Sequence, residues 1–242
     1  MKLKSKKKLF LLTIAALLLT AAVGVGVYAG DYYRADETAL AALVSDETVA
    51  VGESDGRLVF APETVKAGLI FYPGGKVEYT AYAPLMRALA EAGILCIVPE
   101  MPLNLAVLDM DAAADIPRQW EVENWYIGGH SLGGAMAAGY AAQRPEDFKG
   151  LVLLAAYSTE DLTQTGLEVL SLYGTADGVL DREKYQQYRT NLPENVTEVI
   201  LDGGCHACFG SYGPQAGDGE PTITAEEQTG LTAAYILQLM NH

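Results

Sequence analysis

The sequence predicts an α/β domain, a mostly parallel sheet of about eight strands with helices on both faces, preceded by one apolar helix. Two observations carry this fold. Apolar runs of strand length recur from Arg57 onward and are continuous, not alternating, as strands covered on both faces require. Stretches with helical spacing separate the runs, and strands alternating with helices build a parallel sheet. A third observation points to function: a glycine-flanked serine at 131 joins one such run to one such helix. Ligands of these sheets gather at the carboxyl ends of the strands.

The chain begins with Lys2, Lys4, Lys6, Lys7 and Lys8 and then runs from Leu9 to Ala29 without a charge. As a helix, that run spans about 31 Å, close to the roughly 30 Å hydrocarbon thickness of a bilayer. Residues 1–8 are therefore read as a basic cytoplasmic region and 9–29 as a transmembrane anchor. The lysines set the orientation and send the rest of the chain to the extracytoplasmic side of the cell membrane. A cleaved signal peptide is the rival, since Val27-Tyr28-Ala29 is a passable cleavage site, and it would make the protein secreted. The apolar run is longer than the usual signal core of about 7 to 15 residues.

Residues 30–48 read as a polar tether with some helical character, and the domain proper as 49–242. The strand-length runs within it are "RLVFAP" (57–62), "AGLIFYP" (67–73), "ILCIVP" (94–99), "NWYIGG" (124–129), "GLVLLAAY" (150–157), "EVLSLYG" (168–174) and "VTEVILDGG" (196–204). Helical patterns fall at 80–93, 132–143 and 181–192, and a last helix opens on the capping box Thr224-Ala225-Glu226-Glu227. Beyond the lysine cluster the acidic residues far outnumber the basic ones, within a chain of net charge −15. Nucleic acid is excluded as a partner, because binding it needs a basic footprint.

Gly129-His130-Ser131-Leu132-Gly133 is a G-x-S-x-G pentapeptide with a strand entering it and a helix leaving it. Such a serine sits on a strained turn whose neighbours must lack bulk, and it serves as a nucleophile; the alternative is a helix-capping serine. A serine hydroxyl needs a base to take its proton. Of three histidines, His130 adjoins the serine with its ring expected to point away, and His242 ends the chain. His206, in the loop after "VTEVILDGG", remains. The base needs a carboxylate, which in this type of site lies between serine and histidine in chain order. Asp177, just past "EVLSLYG", fits. Asp181 reads as a helix cap, and Asp202 lies close to His206 in sequence. An oxyanion hole would draw on the N–H of Leu132 and on that of Gly75 or Lys76, with Gly74-Gly75 letting the backbone approach the substrate. Tyr72, Tyr79, Tyr82, Phe209 and Tyr212 are candidates to line the pocket.

The segments "FYPGGKVE", "YIGGHSLGG", "LYGTADGV" and "GGCHACFGSYG" resemble the α/β-hydrolase superfamily, and more closely its small dienelactone-hydrolase-like members, over roughly residues 49–240. The resemblance implies an α/β-hydrolase fold with Ser131 as nucleophile, Asp177 as acid and His206 as base, and by analogy a contact of Glu78 with the site. Dienelactone hydrolases carry a cysteine where this chain has Ser131, so their substrate is not carried over. Only "STEDLTQTGLEV" separates two strands where this fold commonly inserts a lid, so no large cap domain and an open pocket are expected.

The expected activity is hydrolysis of a carboxylic ester through an acyl-enzyme, on a small molecule or an exposed ester of the cell envelope, with no cofactor and no metal. An acyltransferase and an inactive scaffold that binds a surface partner are the alternatives. Cys205 and Cys208 bracket His206 and read as two free thiols or a short disulfide, since the domain faces an oxidising side. A zinc site that recruited His206 would abolish the triad.

Overall fold

A computed structural model describes residues 2–241, and the chain divides into two units between Tyr32 and Tyr33. Met1 and His242 lie outside the described residues, as does the expectation that His242 stands apart from the site; so do the side chains of the lysine flank. The first unit is one helix, α1 (Lys2–Gly30). Its segment Phe10–Gly30 is long and apolar enough to cross a membrane, and Phe10, Leu12 and Leu18 are exposed.

The second unit opens with α2 (Glu37–Ala41), capped by Asp36, whose side chain accepts from Ala39 N at 3.0 Å. Eight strands follow: β1 (Val49–Ser54), β2 (Arg57–Pro62), β3 (Ala67–Tyr72), β4 (Ile94–Pro99), β5 (Trp125–His130), β6 (Gly150–Leu154), β7 (Glu168–Gly174) and β8 (Thr197–Leu201). They form one sheet in the order β1-β2-β4-β3-β5-β6-β7-β8, with β1 and β2 antiparallel and the strands from β4 to β8 parallel. Strand β1 was not among the runs expected from sequence. Its pattern is half polar and largely exposed, and it is held by hairpin pairing with β2.

The continuous apolar runs separate into two faces once they are strands, because successive side chains point opposite ways. Leu69 and Phe71 of β3 face one core layer, with α3 (Ala83–Glu91) and α7 (Ala225–Met240); Ile70 and Tyr72 face the other, with α4 (Ile116–Gln119) and α5 (Leu132–Gln143). Each fully buried large apolar side chain is worth about 1.5–3 kcal/mol against exposure. Covering both faces thus fixes the register of the sheet. The remaining helix, α6 (Arg182–Tyr188), is capped by Asp181, which accepts from Lys184 N at 3.0 Å. Helix α7 carries the expected capping box of Thr224 and Glu227.

Two features differ from the sequence reading. The expected tether is part of the folded unit from Tyr33 on: Tyr33 bridges Val77, Ala39 is fully buried, and Asp36 N donates to Ser211 O at 2.9 Å. The short β6–β7 connection holds no helix, whereas the β4–β5 connection makes the longer excursion, with two 3-10 turns and α4. Leu103 and Asn104 within it both take φ of 55°.

Candidate active site

Four strand ends supply the site. Ser131 stands where β5 gives way to α5, at φ 52° and ψ −123°, a backbone conformation that L-residues avoid. Its neighbours permit that turn. A Cβ on Gly133 would lie 2.3 Å from the carbonyl oxygens of Tyr72 and Pro73, so any side chain there would force β3 and the turn apart. Ser131 N donates to Leu154 O at 2.9 Å, tying the turn to β6. The side chain caps nothing in α5, and it is partly exposed.

His206 and Asp177 lie in the loops after β8 and β7. These loops touch: a Cβ on Gly174 would lie 2.0 Å from Gly204 O, and Ala176 N donates to Gly204 O at 2.8 Å. His206 Nδ1 meets Asp177 Oδ2 at 2.9 Å, with both side chains almost wholly buried. The other carboxylate oxygen of Asp177 accepts from Val179 N and Leu180 N at 2.9 and 2.8 Å, which fixes the carboxylate plane. On the far side of the ring, His206 Nε2 is buried with no hydrogen-bond partner among the described residues, Ser131 included. Resting sites often close that bond only around substrate. Asp202, by contrast, is exposed and accepts from Thr175 Oγ1 at 3.4 Å.

Asp218, which the sequence reading passed over, ties the two loops together. Its carboxylate accepts from Gly178 N at 3.0 Å, His206 N at 3.2 Å and Ala207 N at 2.8 Å. Partial burial alone would push its carboxyl up, but these N–H groups outweigh burial and hold it below the ordinary value. Gln228 of α7 grips the preceding residue: its side chain accepts from Cys205 N at 3.0 Å and donates to Cys205 O at 2.9 Å.

The loop after β3 meets Leu132. A Cβ on Gly75 would lie 3.0 Å from Leu132 Cδ2 and 3.8 Å from Leu105 Cδ2. Among the described residues, neither Leu132 N nor Gly75 N is given to another protein group. Lys76 N, the other expected donor, is committed to Asn104 O at 2.7 Å, which goes against that half of the expectation. Gly74 N donates to the Tyr82 hydroxyl at 2.9 Å, and that hydroxyl lies 2.8 Å from His130 Nδ1.

His130 is therefore not turned away from the site. Its ring is fully buried with its centroid 4.4 Å from that of His206, because alternation along β5 sends residue 130 to the face that carries Tyr82 and Phe209. Burial, with the neighbouring His206 imidazole second, holds its pKa well below the ordinary value and keeps the ring neutral. Most of the aromatic candidates are also spent elsewhere. The Tyr72 hydroxyl is buried in the opposite layer, donating to Met110 O at 2.8 Å and accepting from Ala113 N at 2.9 Å. Tyr79 bonds Glu53 on β1. The Glu78 carboxylate accepts from Ala35 N at 3.0 Å, which pins the segment before α2. Tyr212 packs against Tyr33, with ring centroids 5.5 Å apart and planes tilted by 48°. A hydroxyl near the site in sequence follows its own strand or turn, and those of Tyr72 and Tyr79 are engaged elsewhere.

The sequence profile of the alpha/beta hydrolase family matches residues 68–230, the stretch that holds all four strand ends. The chain belongs to the alpha/beta hydrolase family. Membership makes it a hydrolase in general terms, and the sheet order above is the family's architecture. No curated protein sequence matches it. Among solved structures, this hydrolase is similar to a protein described as a CIB-like hydrolase from Thermoplasma acidophilum, at 17% identity and TM-score 0.59, over 78% of this chain and 99% of that one. A protein described as a dienelactone hydrolase from Klebsiella pneumoniae aligns at 18% identity and TM-score 0.60, over 81% and 100%. Est1E from Butyrivibrio proteoclasticus aligns at 16% and 0.55, over 81% and 100%. Likeness at such identities speaks for the fold alone.

Proposed function

We propose that this hydrolase cleaves a carboxylic ester through an acyl-enzyme formed on Ser131. The observation that carries the reading is the buried His206–Asp177 pair, at 2.9 Å, whose outer nitrogen Nε2 has no partner. A buried polar nitrogen left unpaired is costly unless something arrives to use it. Here that something is the proton of Ser131 Oγ. Oγ adds to the ester carbonyl as its proton passes to His206 Nε2, and the N–H groups of Leu132 and Gly75 hold the oxyanion. Collapse returns that proton to the leaving alcohol. Water then adds to the acyl-enzyme with His206 taking its proton, collapse breaks the bond to Ser131 Oγ, which receives that proton back, and the acid departs. Asp177 keeps Nδ1 protonated and stabilises the imidazolium, and no cofactor enters.

A small or exposed acyl group suits the part-exposed serine and the short β6–β7 connection. In this reading Phe10–Gly30 crosses the membrane once as an anchor, with residues 1–8 cytoplasmic and the hydrolase unit outside, where an ester of the cell envelope is within reach.

The test is a fluorophosphonate probe on the full chain in detergent, with the labelled peptide mapped by mass spectrometry. Labelling at Ser131 is expected, and Ser131→Ala should abolish it along with nearly all turnover of short esters, a loss on the order of 10⁶-fold. A folded, unlabelled protein would favour a binding scaffold instead. With an ester substrate, transfer of the acyl group to an alcohol faster than to water would mark an acyltransferase.

A further inference from the structure

Cys205 and Cys208 stand at the two ends of the turn that carries His206, and their sulfurs are 3.2 Å apart. Cys208 is the middle residue of a 3-10 turn over Ala207–Phe209 that His206 caps, and Cys205 precedes the cap, so the chain turns between the two thiols and brings their sulfurs together. Closing a disulfide of about 2.05 Å requires the sulfurs to approach by only about 1 Å. The two ends of the turn are unequal. Gln228 grips both backbone groups of Cys205, and Asp218 holds His206 N and Ala207 N. The Cys208 backbone N–H meets the Cys205 sulfur, and among the described residues no side chain outside this dithiol pair holds it.

We infer that Cys205 and Cys208 are a dithiol–disulfide site, and that the disulfide fastens the loose end of the turn so that His206 is held in line between Asp177 and Ser131. The second clause rests on the hydrolase reading given above. The oxidant is a disulfide, such as that of a thiol–disulfide exchange protein outside the cell or glutathione disulfide. Cys208 thiolate attacks one sulfur of that disulfide and expels the other as a thiolate. Cys205 then loses its proton and attacks Cys208 Sγ, the second partner sulfur leaves as a thiolate, and the intramolecular bond remains. Two thiols have lost two electrons and two protons, and the partner disulfide has gained the electrons.

Access and chemistry agree with this order. Both cysteines line a cavity of about 480 Å³ that Asp36, Asp218 and Glu220 also border, and Cys208 is part-exposed while Cys205 is buried. The Cys205 thiol donates to Cys208 Sγ, which holds the Cys208 thiol below its ordinary value. The same bond, and burial after it, push Cys205 up. The reachable thiol is thus the one poised to attack, and the buried one is placed to resolve. Cys96, in β4, is buried and lies in the sheet, away from this turn.

The experiment uses the full chain in detergent, incubated with glutathione disulfide or with dithiothreitol, then quenched in acid, denatured and alkylated. After oxidation the peptide holding both cysteines should be unalkylated and about 2 Da lighter than its dithiol form. After reduction both should be alkylated. Two alkylated cysteines after oxidation, or a glutathione adduct that persists on Cys208, would overturn the site. The rate of fluorophosphonate labelling at Ser131 should fall roughly three- to tenfold on reduction, the scale expected when a catalytic group loses its fixed position. Cys208→Ala should label at the slower rate whatever the redox state. Equal rates for oxidised and reduced wild type would overturn the positioning clause. Absence of labelling in every state would sink the hydrolase reading and that clause together, with the mass shift still judging the disulfide by itself.

Discussion

Ser131 is held by close backbone packing that its flanking glycines permit, whereas His206 is held by side chains from three other stretches of chain. The serine turn is built by exclusion: Gly133 presses on the carbonyls of Tyr72 and Pro73, and no side chain is needed to hold φ at 52°. The histidine turn is built by attachment: Asp177 takes the ring, Asp218 takes two backbone N–H groups, and Gln228 grips the residue before it. The glycines that allow so close an approach adjoin the serine and leave a mark in a short motif. Attachment draws on residues 12 to 29 positions away and leaves none.

The comparison breaks most sharply at the link between the two regions. Asp177→Asn should preserve the fold, since an amide oxygen can still accept from Val179 N and Leu180 N, yet lower kcat by a factor on the order of 10⁴ because the imidazole settles in the wrong tautomer. Steady-state kinetics beside Asp202→Asn check it. A comparable loss in Asp202→Asn would move the acid to that exposed residue.

This difference in construction decided what could be read from sequence. The G-x-S-x-G turn, the strand ends that bear Asp177 and His206, the capping box of α7 and the continuous runs of the parallel strands are patterns within short windows, and they predicted the fold. The direction of a side chain is not such a pattern. Tyr72 and Tyr79 adjoin the oxyanion loop in sequence, but one anchors the opposite layer and the other reaches β1. His130 was misdirected for the same reason. Asp218 lies in a glycine-rich loop with no periodicity to mark it, and only the meeting of the β7 and β8 loops shows what it does.

A smaller effect sharpens the contrast on the attached side. Asp218→Asn replaces an acceptor oxygen with an amide that must face backbone N–H groups as a second donor. The turn then loses part of its hold without losing any group that touches substrate. A kcat lower by about tenfold with KM unchanged is expected, in line with small misplacements of a catalytic group. Unchanged kcat would mean that Asp177 alone orients His206. A rise in KM with kcat intact would place Asp218 in substrate binding.

The smallest effect concerns the layer where the two regions meet, the neutral His130 ring under His206. Its pKa in the folded protein is depressed, so below the ordinary histidine value of about 6.5 the unfolded chain binds a proton at residue 130 that the folded protein does not. Stability therefore rises with pH across that range, and it is lost as pH falls through it. His130→Gln removes the proton difference and keeps an amide that can meet the Tyr82 hydroxyl. Between pH 7 and pH 5 the Tm of the wild type should fall by a few degrees more than that of the variant, on the scale of about 2–4 °C per kcal/mol for a chain of this size. Thermal melts of both proteins across that range measure the difference. Parallel curves would mean that the folded protein protonates His130 as readily as the unfolded chain does, and that the Tyr82–His130 pair is not the dry junction between serine turn and histidine turn.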